Sequence, residues 1–178
     1  DLSKVELVGL YPDYAEAWAL MALAQAELKF WHGKVEDPLP AAERAMELNP
    51  NLAEPYCVKV RELEQHGRHD EADRQLGEAL RLGSESWEVN REAARLMFRR
   101  DRMGDAIRYF EKAAELMDSD FHSCSMLITC YAGIGDEATA LDAARRTLSR
   151  SEAAAAKDPA NGAALAAGAS SLMMLGEV

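Results

Sequence analysis

Apolar positions along the chain fall on helical faces, and the faces repeat. Ala106, Phe110 and Ala113 are spaced by four and then three residues, which places them one above another on one side of a helix. The same face recurs 34 residues earlier as Ala72, Leu76 and Ala79, and 34 later as Ala140, Ala144 and Thr147. A second stripe alternates with it: Cys124, Leu127, Ile128 and Tyr131. That stripe is matched one repeat back by Asn90, Ala93, Ala94 and Met97, and one repeat forward by Leu165, Gly168, Ala169 and Leu172. A fixed period of this size predicts stacked two-helix units, each burying its apolar face against its neighbours. Alanine on the second helix lets a neighbouring helix come close, and the one larger residue, Phe110 or Leu76, fills the hollow beside it.

The pattern resembles the tetratricopeptide repeat (TPR), whose signature runs W-x2-L-G-x2-Y, then A-x3-F, then P. Trp18-x2-Met21-Ala22 opens one copy and Ala106-x3-Phe110 closes another. The closing-proline place reads Pro12, Pro50, Ser84, Asp118 and Pro159. The resemblance covers essentially the whole chain. It implies an all-α fold, a right-handed solenoid of antiparallel helix pairs. The expected array has full repeats at 15–52, 53–86, 87–120 and 121–161, with 162–178 the first helix of a further repeat. Residues 1–14, with Leu7 and Leu10, are expected to be the tail of a preceding repeat, as if the sequence began inside a longer array. A fainter resemblance is to TPR segments attached to bacterial signalling proteins such as nucleotide cyclases and winged-helix regulators.

Two repeats exceed the standard length. In the first, a helix from Ala15 to about Trp31 is followed by Gly33–Pro40, a connection about four residues longer than usual. Proline suits a first helical turn but not an interior, so the next helix should begin near Pro40. In the fourth, Pro159 arrives seven residues late, so the helix from Glu137 should run through Ala156, two turns longer and in phase.

Charge and composition narrow the function. The formal charge of −11 argues against nucleic acid and anionic membrane surfaces as partners. No apolar run reaches the roughly 18 residues that a membrane span needs. Cys124 and Cys130 point apart on one predicted helix and Cys57 lies two repeats away, so reduced thiols and a cytoplasmic location are expected. His66 and His69 flank a turn at Gly67, and His32 and His122 are isolated, so no metal site is expected. Gly133-Ile134-Gly135-Asp136 lacks the third glycine of a phosphate loop, and no catalytic motif occurs. No enzymatic activity and no cofactor are expected.

Binding remains. The family resemblance implies a concave groove lined by the first helices. In repeat two the corresponding residues are Glu54, Cys57, Val58, Arg61, Glu64 and Gln65; in repeat three, Glu88, Arg91, Glu92, Arg95, Phe98 and Arg99. Repeat four supplies Met126 and Thr129 among others, and the last helix supplies Met173 and Met174 among small residues. The peptide-binding groove is therefore assigned to Arg61, Arg91, Arg95, Phe98, Arg99, Met126 and Thr129. Arg91, Arg95 and Arg99 form a like-charged column disfavoured by roughly 0.2–0.5 kcal/mol per pair. In an acidic chain such a column is expected to await an acidic partner, with Phe98 and Met126 anchoring an apolar side chain. The alternative is that Glu88, Glu92 and Glu64 neutralise it as ordinary surface pairs. The carboxylate clamp of co-chaperone TPR domains is not matched, since its Lys and Asn places hold Ala19 and Leu23, or Cys57 and Arg61. The expected function is a non-catalytic scaffold that binds a peptide or partner helix. The alternative is a self-association module, a homo-oligomer formed through exposed solenoid ends such as Leu165, Leu172 and Leu175.

Overall fold

A computed structural model describes Gly9, residues 11–33 and residues 36–177. Leu7 and Leu10 lie outside the described residues, as do Lys34, Val35 and the side chains of Trp31 and His32. Every regular element among the described residues is a helix. In chain order they are α1 (Ala15–His32), α2 (Leu39–Leu48), α3 (Glu54–Gln65), α4 (His69–Gly83), α5 (Trp87–Arg99), α6 (Met103–Leu116), α7 (Phe121–Gly133), α8 (Glu137–Lys157) and α9 (Gly162–Leu175). The chain divides into two compact units, residues 1–92 and 93–178, and α5 contributes to both.

In the first unit α1 packs on α2, both pack on α3, and α3 packs on α4. One apolar cluster joins Ala22, Ala26, Ala41, Ala42 and Val58, flanked by Trp18, Met21 and Leu23. A second joins Ala53, Cys57, Ala79 and Val89. Gly83 closes α4 against this cluster: a Cβ there would sit 2.9 Å from the Ala53 Cβ and 3.3 Å from Val89 Cγ2, so any side chain would push the helices apart. In the second unit α6 packs on α7, α7 on α8, and α9 on both α7 and α8. Ala106, Phe110 and Ala113 are fully buried there, as are Ala140, Ala144 and Thr147. Burying a phenylalanine side chain contributes about 1.5–3 kcal/mol, so the stripe that sets the period also supplies much of its stability.

The repeat is also written in polar contacts. Trp18 donates its indole N–H to the carbonyl of Pro12 at 2.9 Å. Tyr56 donates its hydroxyl to the carbonyl of Pro50 at 3.2 Å, and Asn90 donates its amide to the carbonyl of Ser84 at 2.8 Å. These are matching positions of three successive repeats, so the aromatic place of the signature acts here as a donor that fastens each incoming turn. The turns share a backbone conformation too. Gly33, Gly67, Asp101 and Gly135, each 34 residues from the next, all have positive φ, at 73°, 71°, 56° and 80°. Asp101 is the non-glycine exception, in a region that ordinary L-residues disfavour by roughly 1–2 kcal/mol and that aspartate tolerates better than most.

α1 ends at His32 and α2 starts at Leu39, close to the expected Trp31 and Pro40. α1 has 18 residues where α3 has 12, while α2 has 10 where α4 has 15. The connection is indeed long, but it grows at the expense of α2, whose start is held at Leu39 by proline in its first turn. The net gain of the repeat sits in α1. In the fourth repeat α8 runs 21 residues from Glu137 to Lys157, as the late proline predicts.

Candidate functional site

Arg61 projects from α3 among carboxylates of α1 and α5. Its Nε donates to Glu92 Oε2 at 3.2 Å and its Nη2 to the same oxygen at 2.6 Å. Glu27 Oε1 lies 3.2 Å from Arg61 Nη2, and Arg91 Nη1 donates to the same Glu27 oxygen at 3.2 Å. The Arg91 guanidinium also sits 4.9 Å from the ring centre of Trp87. Arg61 and Glu92 are both buried. Burial opposes the charge on Arg61, but Glu92 and Glu27 outweigh it and raise its pKa. Lys29 makes a comparable pair, donating to the buried Glu62 at 2.6 Å.

Arg61 and Arg91 are therefore not bare cations waiting for an anion, as the column of arginines led us to expect. Glu92 pairs with Arg61, beside the column, and the pair is buried rather than on the surface. Glu27, which joins Arg61 to Arg91, was not expected. Glu88 instead accepts from the Ser86 hydroxyl at 3.0 Å, and Glu64 pairs with His69 at 2.9 Å. The other groove residues belong to the 93–178 unit: Arg95, Phe98 and Met126 are half-buried, while Arg99 and Thr129 are exposed. Counting the groove places through repeat one as well would have reached Leu20, Leu23 and Glu27.

Within the first unit these residues surround a pocket of about 260 Å³. Leu20, Leu23, Ala24 and Trp87 form its apolar lining; Glu27, Arg61, Glu88, Arg91 and Glu92 form the polar one, with Cys57 between them. A neighbouring pocket of about 200 Å³ shares Leu20 and Glu88 and adds Glu16, Ala19, Leu52 and Glu54. Leu20, which lines both, is 47% exposed. A third pocket of about 420 Å³ is lined by Leu39, Glu43, Lys59, Glu62, Leu63, His66, Arg68, Glu71 and Gln75.

The 93–178 unit has its own polar centre. Tyr131 donates its hydroxyl to Glu111 at 2.9 Å, and Arg146 donates to both Glu111 oxygens at 2.7 and 2.8 Å. Burial would raise the Glu111 carboxyl, but the hydrogen bonds from Arg146 and Tyr131 hold it below the usual carboxylate range. Burial, with the Glu111 contact, pushes the Tyr131 phenol up to about 12.

The three cysteines are not activated as nucleophiles. Cys57, Cys124 and Cys130 are buried free thiols. Burial pushes all three up, Cys130 to about 11, so they stay protonated at neutral pH. Among the described residues no group of three His, Cys, Asp or Glu could hold a metal ion, and no helix is long and apolar enough to cross a membrane.

No protein-family model and no curated protein matches the sequence. Solved structures do match in fold. Human IFIT1, as a dimer with m7Gppp-AAAA, superposes with a TM-score of 0.69 at 19% identity, over 98% of this chain and 42% of that one. YrrB, a TPR protein with an unusual peptide-binding site, gives a TM-score of 0.55 at 16% identity over 98% and 84% of the two chains. PilF of Pseudomonas aeruginosa gives a TM-score of 0.67 at 15% identity over 92% and 69%. The chain thus spans well under half the length of IFIT1. These likenesses show the fold: a TPR-like helical solenoid of antiparallel helix pairs.

Proposed function

We propose that the chain is a non-catalytic protein-interaction scaffold that holds a peptide or partner helix along the first helices of its repeats. The observation that carries this is the 260 Å³ pocket. It gathers groove-place side chains from three successive first helices, α1, α3 and α5, around an exposed leucine. Pockets of this kind, apolar with a few placed polar groups, suit capture of a side chain from an extended or helical segment. Arg61 and Arg91, already paired with carboxylates, shape that pocket. In the 93–178 unit Arg95, Phe98, Arg99, Met126 and Thr129 remain the proposed groove residues, where an acidic group of the partner would meet arginine. The buried, reduced thiols fit a cytoplasmic setting.

The test is selection of a random 12-residue peptide library on the intact chain and on Leu20→Glu. Enrichment on the former and its loss on the latter is expected; no enrichment on either sinks the scaffold proposal. The IFIT1 structures carry PPP-AAAA and m7Gppp-AAAA, so PPP-AAAA serves as a control. The charge of −11 predicts that it will not bind.

Self-association is a second proposal with its own observation. α9 carries no charged residue, and Leu165, Met173 and Met174 are exposed on it, Met173 to 71%. Sedimentation equilibrium would show a dimer that Met173→Glu dissociates; a monomer at high concentration removes this proposal.

A further inference from the structure

The scaffold proposal leaves the chemistry of the occupant open, and the first unit narrows it. Glu16, Glu54 and Glu88 stand at the same position of three successive first helices and come together with Leu20 and Leu52 around the 200 Å³ pocket. No lysine or arginine lines that pocket. Glu16 and Glu54 make no ion pair among the described residues, and Glu88 only accepts from the Ser86 hydroxyl. The adjoining 260 Å³ pocket supplies the second observation. Arg61, almost wholly buried, lines it, and its Nη1 has no hydrogen-bond partner. That guanidinium is already neutralised by Glu92 and Glu27. The pocket's three carboxylates outnumber its two arginines, so a further carboxylate would be repelled rather than held. A neutral acceptor, such as a peptide carbonyl, suits the unmet donor better, because a buried unsatisfied N–H carries a standing penalty that any acceptor relieves.

We infer that the first unit binds a peptide segment in which an apolar side chain is followed or preceded by lysine or arginine. The apolar side chain packs against Leu20, Leu23 and Trp87. A backbone carbonyl of the segment accepts from Arg61, and the basic side chain faces Glu54, Glu88 and Glu16. Charge complementarity selects this occupant: Glu16, Glu54 and Glu88 make no ion pair among the described residues, whereas Arg61 and Arg91 already have carboxylates.

This rests on the scaffold proposal, and one selection separates the two. The random 12-residue library is panned on the intact chain, on Leu20→Glu and on the double variant Glu54→Gln, Glu88→Gln. All three substitutions lie at exposed or half-buried positions, and circular dichroism confirms that each variant is folded. The expected outcome is that clones dependent on Leu20 are enriched in Lys or Arg beside Leu, Ile, Phe or Met. A synthetic peptide from such a clone should bind the double variant roughly fivefold more weakly at low salt, the size expected of two exposed ion pairs. That difference should shrink as salt is raised. If Leu20-dependent clones are acidic or carry no basic residue, the inference is overturned while the scaffold survives. The same holds if the basic peptide binds the double variant equally well. If clones are enriched but none depends on Leu20, the inference falls and the scaffold survives; if no clone is enriched on either chain, both fall.

Discussion

Arg61 meets Glu92 at 2.6 Å in the first unit, and Arg146 meets Glu111 at 2.7 Å in the second. The distances are nearly equal and the surroundings are not. The side chains of the first pair are 5% and 3% exposed, those of the second 37% and 27%. In the first pair neither charge can return to water without opening the helices around it. In the second, water already screens the attraction and would accept either partner if the other were removed. Charge geometry alone therefore says little about what a pair contributes. The difference also bears on binding, because a pair locked out of water holds a pocket's shape, whereas a half-exposed one can rearrange around a ligand.

The largest break in this comparison is Arg61→Ala. It takes the guanidinium away from Glu92 and Glu27, and loss of one partner from a buried pair typically costs about 3–5 kcal/mol. Urea unfolding followed by circular dichroism should show a loss of that size. The double change Arg61→Met, Glu92→Leu should recover much of it, since well-packed apolar residues often replace such pairs without penalty. A single-variant loss below 1 kcal/mol would mean that the two pairs are alike after all.

Arg146→Ala should cost only about 1 kcal/mol, because both partners are partly in water. Its pH dependence sharpens the contrast. Glu111 has a depressed pKa in the folded chain, so it binds its proton less readily folded than unfolded. The stability it contributes is present above its ordinary carboxylate value and is lost as pH falls through the depressed one. Unfolding free energy measured from pH 7 downward should show this acid loss in the parent chain and a smaller one in Arg146→Ala. Equal acid loss in both would show that Arg146 does not set the Glu111 pKa. The smallest effect belongs to Arg68. It grips Glu71 through two 2.6 Å hydrogen bonds on the open surface, and Arg68→Ala should leave the unfolding midpoint unchanged.

Much of the fold could be read from spacing, because close helix packing demands small residues at fixed intervals and those intervals show in a single chain. Ala106, Phe110 and Ala113 are buried as their pattern requires. Asp101 was not legible as a left-handed turn residue, since aspartate is common everywhere and only its alignment with Gly67 and Gly135 gives it away. The prolines marked the long connection and the start of α2, but that α1 is longer than α3 and α2 shorter than α4 was not legible, because no residue pattern marks either change. The arginine column was visible, but the carboxylates that meet it were harder to see. Glu92 and Arg61 are 31 residues apart, and Glu27 is 64 from Arg91. Only the three-dimensional register of neighbouring repeats tells whether such partners touch.

One contact in the second unit carries a consequence for the order in which the chain is made. Arg150 of α8 donates to the carbonyls of Ala114 and Met117 at the end of α6 and to that of Asp120, at 3.0, 3.1 and 3.3 Å. The last carbonyls of a helix have no partner within it, and here a side chain more than thirty residues downstream supplies one. At roughly 5–20 residues per second of synthesis, α6 would emerge from a ribosome and wait on the order of seconds with that end open. Its final turn would stay frayed through that interval and close only when α8 arrived to fold over it.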